Sequence, residues 1–275
     1  MKPKTSIISI VMFIVLSALS FIVFFPLLWM VLSSFKGAEE IWRSPPTFIP
    51  ETWSISGYQE LFRRMSFGRY FFNSIFVAAV STVISLFTSS LAGYIFAKIR
   101  FRGRHVIFLL VLSSMMIPGQ ITMIPNYMLI LALNLYDTYL ALILPQGITV
   151  FGIFLIRQYL LSFPDEYIEA ARIDGLGEFK IYSSIVVPLN LPAIAALAIF
   201  SFRGAWDNLL WPLIMTSSES MRTLPVAIAS LTTVHSPLME LILPASTISI
   251  VPILIVFFIF QKQFVQGITM SGLKA

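Results

Sequence analysis

Long uncharged apolar stretches fill most of the chain, and short polar segments separate them. Six stretches reach the length of about 20 residues that a helix needs to cross the hydrocarbon core of a bilayer. They are Thr5–Phe35, Tyr70–Ala97, Val106–Tyr136, Thr138–Ile156, Ile181–Phe202 and Leu241–Gln261. None alternates in the units of about ten residues that membrane β-barrels show. The pattern therefore predicts an all-α, polytopic membrane protein with six transmembrane helices.

Prolines and flanking charges refine the positions of these helices. Val106–Tyr136 exceeds one span, and Pro118 and Pro125 mark its outer end. We place the spans at residues 7–33, 70–97, 106–131, 138–157, 185–213 and 241–261 of a single transmembrane domain that covers residues 1–275.

Charged residues are too few to cover a water-facing surface. The 275 residues include 18 basic and 13 acidic ones, or 11%, whereas about a quarter of a soluble domain is charged. Most of the surface must therefore face lipid or other membrane helices. Cysteine is absent, which excludes disulfides, thiolate metal sites and cysteine nucleophiles.

Basic residues cluster after the second stretch, at Lys98, Arg100, Arg102 and Arg104. Short loops rich in Lys and Arg face the cytoplasm, so this cluster predicts that both termini are cytoplasmic. The basic residues lie in short loops without an aromatic-interleaved patch, and no nucleic-acid partner is expected. The first stretch is far longer than the roughly 7–15 apolar residues of a signal peptide, and we interpret it as a retained anchor.

The polar segment between the fourth and fifth stretches is unusually acidic, with five acids between Asp165 and Glu178. Ser162 can cap a helix, Pro164 suits its first turn, and Gly175 is a natural stop. The segment predicts an amphipathic helix of about three turns, or about 16 Å.

Helical spacing places Phe163, Tyr167, Ala170 and Ala171 on one face of that helix. Two alanines allow another surface to approach closely, and the two aromatic rings can fill a pocket. An interfacial helix lying on the membrane is the alternative, but such helices usually carry Lys and Arg on their polar face. The excess of acids favours a protein partner.

The spacing of these residues resembles a known loop. Glu169-Ala170-Ala171, then Gly175, then Ile185-x-Val187-Pro188 is similar to the "EAA" loop of permease subunits of bacterial ATP-binding cassette (ABC) importers. The extended form "FPDEYIEAARIDG" resembles the carbohydrate-uptake subfamily, which includes the smaller membrane subunit of the maltose importer.

The resemblance extends along the whole chain. The segments "FFNSIFVAAVSTVISLFTSSLAGYIFAKIRFRGR", "MMIPGQITMIPNYMLI" and "QKQFVQGITMSGLKA" are similar to the second span, the third span and the tail of that family. "WDNLLWPL" resembles its fifth-span signature, which normally reads Trp-Asn-acid. Because Asp207 and Asn208 stand in the opposite order, no role is carried over to either.

The resemblance implies a coupling loop at residues 158–184 whose helix docks into a separate ATPase subunit. By position, the coupling residues are Tyr167, Glu169, Ala170, Ala171 and Gly175. Ile185 and Pro188 would pass the motion to the fifth span, and Gln266 and Gly267 in the tail would reach the ATPase interface.

The partners and cofactors follow from the same resemblance. We expect a second permease subunit, two ATPase subunits that bind ATP and Mg, and an extracytoplasmic solute-binding protein, in a bacterial or archaeal cytoplasmic membrane. The sequence contains no GxxxxGK[ST] motif, so this chain is not expected to bind ATP in the usual way. We expect no cofactor in this chain and no enzymatic activity of its own. The solute would be a sugar, an oligosaccharide or a polyol.

Several polar residues inside the apolar stretches remain open to two interpretations. Four amides could hydrogen-bond sugar hydroxyls along a translocation path or could join helices: Gln120, Asn126, Gln146 and Asn190. Arg203 and Asp207, four residues apart, are either functional intramembrane charges or a local ion pair at the water interface.

Other functions fit the sequence less well. A permease for a different small solute, such as glycerol phosphate, is the main alternative. A stand-alone secondary carrier is typically larger, with internal repeats, and none is seen here. An intramembrane enzyme is disfavoured because Tyr136-Asp137 lacks a GxGD partner motif, and no HExxH or GxSxG is present. His105 and His235 lack metal-ligand spacing, so no metal site is expected.

Overall fold

The computed structural model describes residues 7–232 and 238–272, with side chains for residues 8–232 and 238–262. Helices dominate these ranges, and no extended strand occurs within them. The helices are α1 (Ile7–Ser33), α2 (Ala38–Ile41), α3 (Ser56–Arg64), α4 (Phe67–Lys98), α5 (Arg104–Ser113), α6 (Gly119–Ala132), α7 (Tyr139–Ile143), α8 (Val150–Leu161), α9 (Glu166–Ile173), α10 (Glu178–Ile181), α11 (Val187–Leu189), α12 (Leu191–Trp206), α13 (Leu210–Met215), α14 (Leu224–Ser230) and α15 (Met239–Gly272).

Four helical segments in the described ranges are long and apolar enough to cross a membrane. They are Ile8–Ser33, Phe67–Lys98, Tyr139–Leu161 and Met239–Lys262. Two further segments are helix pairs, bent by 99° between Met116 and Gly119 and by 83° between Leu189 and Leu191. If each bent pair forms one span, the number of spans is six. The prediction of an all-α, polytopic membrane fold is confirmed.

Prolines explain both bends. Ile117, just before Pro118, has ψ of 114°, because a residue that precedes proline is pushed out of the helical region. Pro188 lies inside α11 and Pro192 in the first turn of α12. Since proline lacks the backbone N–H, the hydrogen-bond ladder is interrupted on both sides of Asn190.

Small residues bring α4 and α8 close together. A Cβ atom added to Gly93 would lie 2.8 Å from Ile156 Cγ2 and 3.1 Å from the backbone nitrogen of Arg157. Hydroxyl contacts follow the same seam, including Thr88 Oγ1 to the carbonyl oxygen of Gly147 at 2.9 Å. Close approach and hydroxyl bonding are the usual means by which membrane helices associate.

The described chain divides into two compact units, of which the larger spans Gly68–Ala227 and continues from Val251. Its two apolar clusters lie towards opposite ends of α4. One contains Tyr94, Ile156, Leu160, Ile168, Ala171, Ile181, Tyr182 and Leu197, and the other Val77, Ile130, Leu142, Trp211 and Met215. The first cluster packs beneath α9 and therefore fixes the position of the acidic segment.

The smaller unit comprises the described residues up to Phe67 together with Ile228–Ile250. The apolar window of α1 is uncovered along its length. Lys36, at its end, is buried; its ammonium group donates to the carbonyl oxygen of Thr47 at 2.5 Å and lies 4.8 Å from the ring centroid of Trp29. Arg43 and Glu51 form an ion pair at 2.6 Å. These contacts order the proline-rich segment that follows α1.

Candidate functional site

The acidic segment forms a helix, α9, that is shorter than the sequence predicts. It has eight residues, Glu166–Ile173, instead of about three turns. Ser162 does not cap it, because its hydroxyl donates to the carbonyl oxygen of Tyr159 at the end of α8. Gly175 follows α9 with φ of +82°, a backbone conformation that glycine adopts without strain. The predicted glycine stop is confirmed, and the predicted serine cap is wrong.

The buried face of α9 differs from the predicted one. Ile168 and Ala171 are buried in the cluster beneath the helix, whereas Ala170 is exposed. The two alanines therefore lie on different faces, and the prediction that they share one is wrong. Phe163 and Tyr167 do lie together, with ring centroids 5.7 Å apart.

The opposite face of α9 exposes an apolar patch. Ile173 is 86% exposed and Tyr167 is 55% exposed, and exposed Ala170 lies between them at a spacing of three residues. We call Tyr167, Ala170 and Ile173 the apolar patch of α9. Glu166 and Glu169 are exposed on the same helix, and the carboxylate of Glu169 has no hydrogen-bond or ion-pair partner among the described residues. Contiguous exposed apolar residues with a polar rim are typical of protein-binding surfaces.

Lys98, at the end of α4, holds the start of α9. Its ammonium group donates to Asp165 Oδ1 and to the carbonyl oxygen of Phe163, both at 2.6 Å, and its side chain is only 6% exposed. The hydrogen bond from Lys98 and its positive charge lower the pKa of Asp165 below the usual value. The carboxylate therefore stays ionised at neutral pH.

A second contact holds the far end of α9. Arg172 Nε donates to Glu178 Oε1 at 2.6 Å, and the hydroxyl of Tyr94 in α4 donates to Glu178 Oε2 at 2.7 Å. Glu178 thus joins the helix to the second long apolar segment. The sequence analysis assigned no structural contact to Tyr94, Lys98 or Glu178; the polar residues at intervals of four near the end of α4 were the available signal.

Ile185 and Pro188 lie in the segment that leads from α10 to α12. Ile185 is half-buried within a π-helical turn, Tyr182–Val186, and packs against the cluster beneath α9. Pro188 is exposed in α11. The 83° bend then separates this segment from α12.

The four amides divide into two pairs. Gln120 and Asn126 are exposed on α6. The side chain of Gln146 donates to the carbonyl oxygen of Leu142 at 2.8 Å and accepts from Asn208 at 3.3 Å, whereas that of Asn190 donates to the carbonyl oxygen of Val186 at 2.8 Å. The second pair is therefore engaged within the chain.

Arg203 and Asp207 form an exposed ion pair, with Arg203 Nε 3.3 Å from Asp207 Oδ2. The local interpretation of these charges agrees with this contact. Gln266 and Gly267 fall within the backbone range of α15, but they lie outside the residues whose side-chain surroundings the structure describes.

The chain is similar to known transport proteins along its full length. It is 40% identical to the arabinooligosaccharides transport system permease protein AraQ of Halalkalibacterium halodurans, with all of both chains covered. It is 35% identical to the lactose transport system permease protein LacG of Rhizobium radiobacter, with 94% of each chain covered.

A solved structure shares the fold. The crystal structure of a bacterial ABC transporter involved in the import of the acidic polysaccharide alginate contains a chain with a TM-score of 0.81 and 24% sequence identity. The match covers 96% of the present chain and 99% of that chain. The present chain therefore shares the fold of that transporter chain.

A family model matches residues 89–270, a range that contains α9 and both bent segments after α4. The family is described as the binding-protein-dependent transport system inner membrane component. This match, the full-length relatives and the apolar helices agree with one another. The chain belongs to the family of inner-membrane components of binding-protein-dependent transport systems.

Proposed function

We propose that this chain is one of two membrane subunits of an ATP-driven importer for a sugar, an oligosaccharide or a polyol. Support comes from the relatives, whose names assign them to arabinooligosaccharide and lactose transport. Further support comes from the "FPDEYIEAARIDG" segment, which resembles the carbohydrate-uptake subfamily. The chain forms half of the translocation path and itself hydrolyses no ATP.

The apolar patch of α9 is the main observation that supports a role of this helix in coupling to the ATPase. Ile168 and Ala171 anchor the helix in the cluster beneath it, and Ile173 projects outward with most of its surface uncovered. A buried inner face and an apolar outer face suit a helix that sits between the membrane domain and a partner. The ATPase subunit is that partner, and Glu169 and Gly175 belong to the same docking element.

The complete transporter contains this chain, a second permease subunit, two ATPase subunits that bind ATP and Mg, and an extracytoplasmic solute-binding protein. The uncovered window of α1 is consistent with a lipid or membrane-subunit neighbour on that helix. Ile185 and Pro188, which follow α10, lie on the covalent connection from the docking element to α12.

Coupling to an ATPase requires that α9, and with it both chain termini, face the cytoplasm. The Lys98–Arg104 cluster supports this orientation because basic loops face inward. The cysteine-free sequence allows a direct test. A single cysteine at Asp174 should react with an impermeant maleimide only after permeabilisation of cells, whereas one at Ser217 should react in intact cells. The reverse result would refute the proposed orientation.

The docking role is tested by coexpression of the chain with each ABC ATPase subunit of the same organism. Ile173→Asp should abolish copurification of the ATPase, because it places a charge in the apolar patch of α9. The amount of chain in the membrane should not change, because the side chain at this position is already exposed to water. Ile49→Asp is the matched control, since Ile49 is 61% exposed in the smaller unit. Equal capture of the ATPase by both variants would contradict the docking role.

The solute class is tested with the complex reconstituted together with its binding protein. Arabinotriose, lactose and xylitol represent the proposed class, and glycerol phosphate represents the alternative. Stimulation of ATP hydrolysis by a member of the first group supports the proposal, and stimulation by glycerol phosphate alone would overturn it. Gln120 and Asn126 are exposed and uncharged, so they remain the preferred contacts for sugar hydroxyls, ahead of the internally bonded Gln146 and Asn190.

A further inference from the structure

Three polar residues of α4 lie four positions apart and contact three different parts of the segment between α8 and α11, residues 162–186, which we call the loop. Ser90 Oγ is 2.7 Å from the hydroxyl of Tyr182, and the Tyr94 hydroxyl donates to Glu178 at 2.7 Å. Lys98 donates to Asp165 at 2.6 Å. We call Ser90, Tyr94 and Lys98 the polar stripe of α4, because residues at this spacing share one helical face.

The stripe is buried although it is polar. Ser90 and Tyr94 are 5% and 2% exposed, and the side chain of Lys98 is 6% exposed, although that residue as a whole is half-buried. A polar or charged group that is buried destabilises the fold unless it is fully paired. Every member of the stripe has a partner in the loop, and the three partners are spread from the start of α9 to the π-helical turn. The loop is therefore held along its length rather than at one pivot.

The backbone that leads from the loop to α12 is not one continuous α-helix. It passes through the π-helical turn of Tyr182–Val186 and then through the 83° bend next to Asn190. The Asn190 amide bonds back to the carbonyl oxygen of Val186, within the turn itself. Such π-turns and proline-associated breaks are points at which a helix bends. The backbone alone would therefore transmit a movement of α9 to α12 poorly.

We propose that the polar stripe ties the loop to α4, so that α9 and the adjacent end of α4 move as one body when the ATPase moves. Tyr94 and Lys98 are then positioning residues for coupling, and α4 receives the motion directly. This inference rests on the proposed docking of α9 to an ATPase, but the tie itself is a property of this chain. Contacts at three separated points restrict both rotation and translation of the loop.

The tie is tested by double electron–electron resonance between spin labels on cysteines at Arg102 and Ser183, which are exposed near α4 and in the loop. In the complex with the ATPase, the distance should be the same without nucleotide and with a non-hydrolysable ATP analogue and Mg. In the double variant Tyr94→Phe with Lys98→Met, the distance should change with nucleotide, and Lys98→Arg alone should behave as wild type.

The matched control is Tyr139→Phe, which removes a hydroxyl that donates to Asn73 at the other end of the same helix. This variant should leave the Arg102–Ser183 distance independent of nucleotide. A wild-type distance that changes with nucleotide, or a double variant that behaves as wild type, would overturn the proposal.

Failure of the tie and failure of the proposed function give different results. The isolated chain, without ATPase, should already show a broader Arg102–Ser183 distribution in the double variant than in wild type or Tyr139→Phe. A narrow distribution in the isolated double variant counts against the tie. The opposite result is the expected pair of distributions, narrow in wild type and broader in the double variant, in a chain that captures no ATPase. That result would support the contacts of the polar stripe but count against the proposed function and against the coupling role of Tyr94 and Lys98.

Discussion

The two ends of α4 are held by different chemistry. At one end Asn73 is fully buried; its amide nitrogen donates to the carbonyl oxygens of Ser220 and Arg222 at 2.9 and 2.8 Å, and its amide oxygen accepts from Tyr139 at 2.6 Å. At the other end Lys98 binds a carboxylate whose side chain is 64% exposed. The first end uses neutral hydrogen bonds, with two backbone carbonyl groups and one tyrosine hydroxyl, and the second uses an ion pair near water.

This difference separates stability from coupling. Loss of the fully buried Asn73 amide would remove three hydrogen bonds at once, and each such bond contributes about 0.5–1.5 kcal/mol net. The Lys98–Asp165 pair contributes less to stability, since water and salt screen its exposed carboxylate. We therefore expect substitutions at the Asn73 end to affect folding, and substitutions at the Lys98 end to affect the motion of the loop.

The largest functional effect should come from Gly175→Val in the loop at the Lys98 end. No atom lies within 4 Å of a Cβ at this position, so the cost is backbone strain alone, about 1–3 kcal/mol for a non-glycine residue held at positive φ. Sugar uptake should be abolished while the amount of chain in the membrane stays normal, measured by transport assay and immunoblot.

Gly177→Val is the matched control for this strain. Gly177 has φ of −73° and ψ of 154° and also has open space around it, a conformation that β-branched residues adopt readily. Uptake should persist in this variant. Normal uptake by Gly175→Val would argue strongly against a loop whose geometry controls transport.

The largest stability effect should come from Asn73→Ala at the opposite end. The substitution leaves the carbonyl oxygens of Ser220 and Arg222 without this donor and should destabilise the chain by about 1–3 kcal/mol. A lower midpoint of thermal unfolding in detergent checks the prediction. Gln120→Ala removes an exposed amide and should leave the midpoint unchanged. Equal midpoints for the two variants would contradict the claim that the Asn73 end of α4 determines stability.

A smaller, pH-dependent effect is expected from Asp165→Asn at the Lys98 end. Because the folded pKa of Asp165 is lowered by Lys98, the carboxylate stabilises the fold at neutral pH, and this contribution is lost as the pH falls below about 4 towards the folded pKa. The variant should be less stable by about 0.2–1 kcal/mol at pH 7. The difference in thermal midpoint between wild type and variant should disappear in acid; a difference that persists there would show that the charge is not its source.

The smallest effect should come from Arg203→Ala. Its ion pair with Asp207 is exposed on both sides, so the free energy of unfolding should change by less than about 0.5 kcal/mol. A thermal midpoint within error of wild type is expected. A large loss of stability would mean that exposed charge pairs matter more in this fold than the comparison of the two ends of α4 suggests.

The sequence predicted the features that depend on local patterns. Apolar stretches of membrane-spanning length determined the helical class, since a backbone in hydrocarbon must satisfy its own hydrogen bonds. Gly175 was recognised as a stop because few other residues adopt its positive φ. The spacing from Glu169 to Pro188 identified the family to which the chain belongs.

Which face of α9 is buried, and what holds it, depends on packing between helices that are distant in the sequence. Helical periodicity fixes the angles between side chains but not the direction of the core. The sequence pattern therefore groups Ala171 with Ala170, whereas in the structure Ala171 is buried together with Ile168. The contacts of Lys98 with Asp165 and of Tyr94 with Glu178 join residues 67 and 84 positions apart. Such pairs form because α4 and α8 pack closely beneath the loop, and no local pattern encodes that packing.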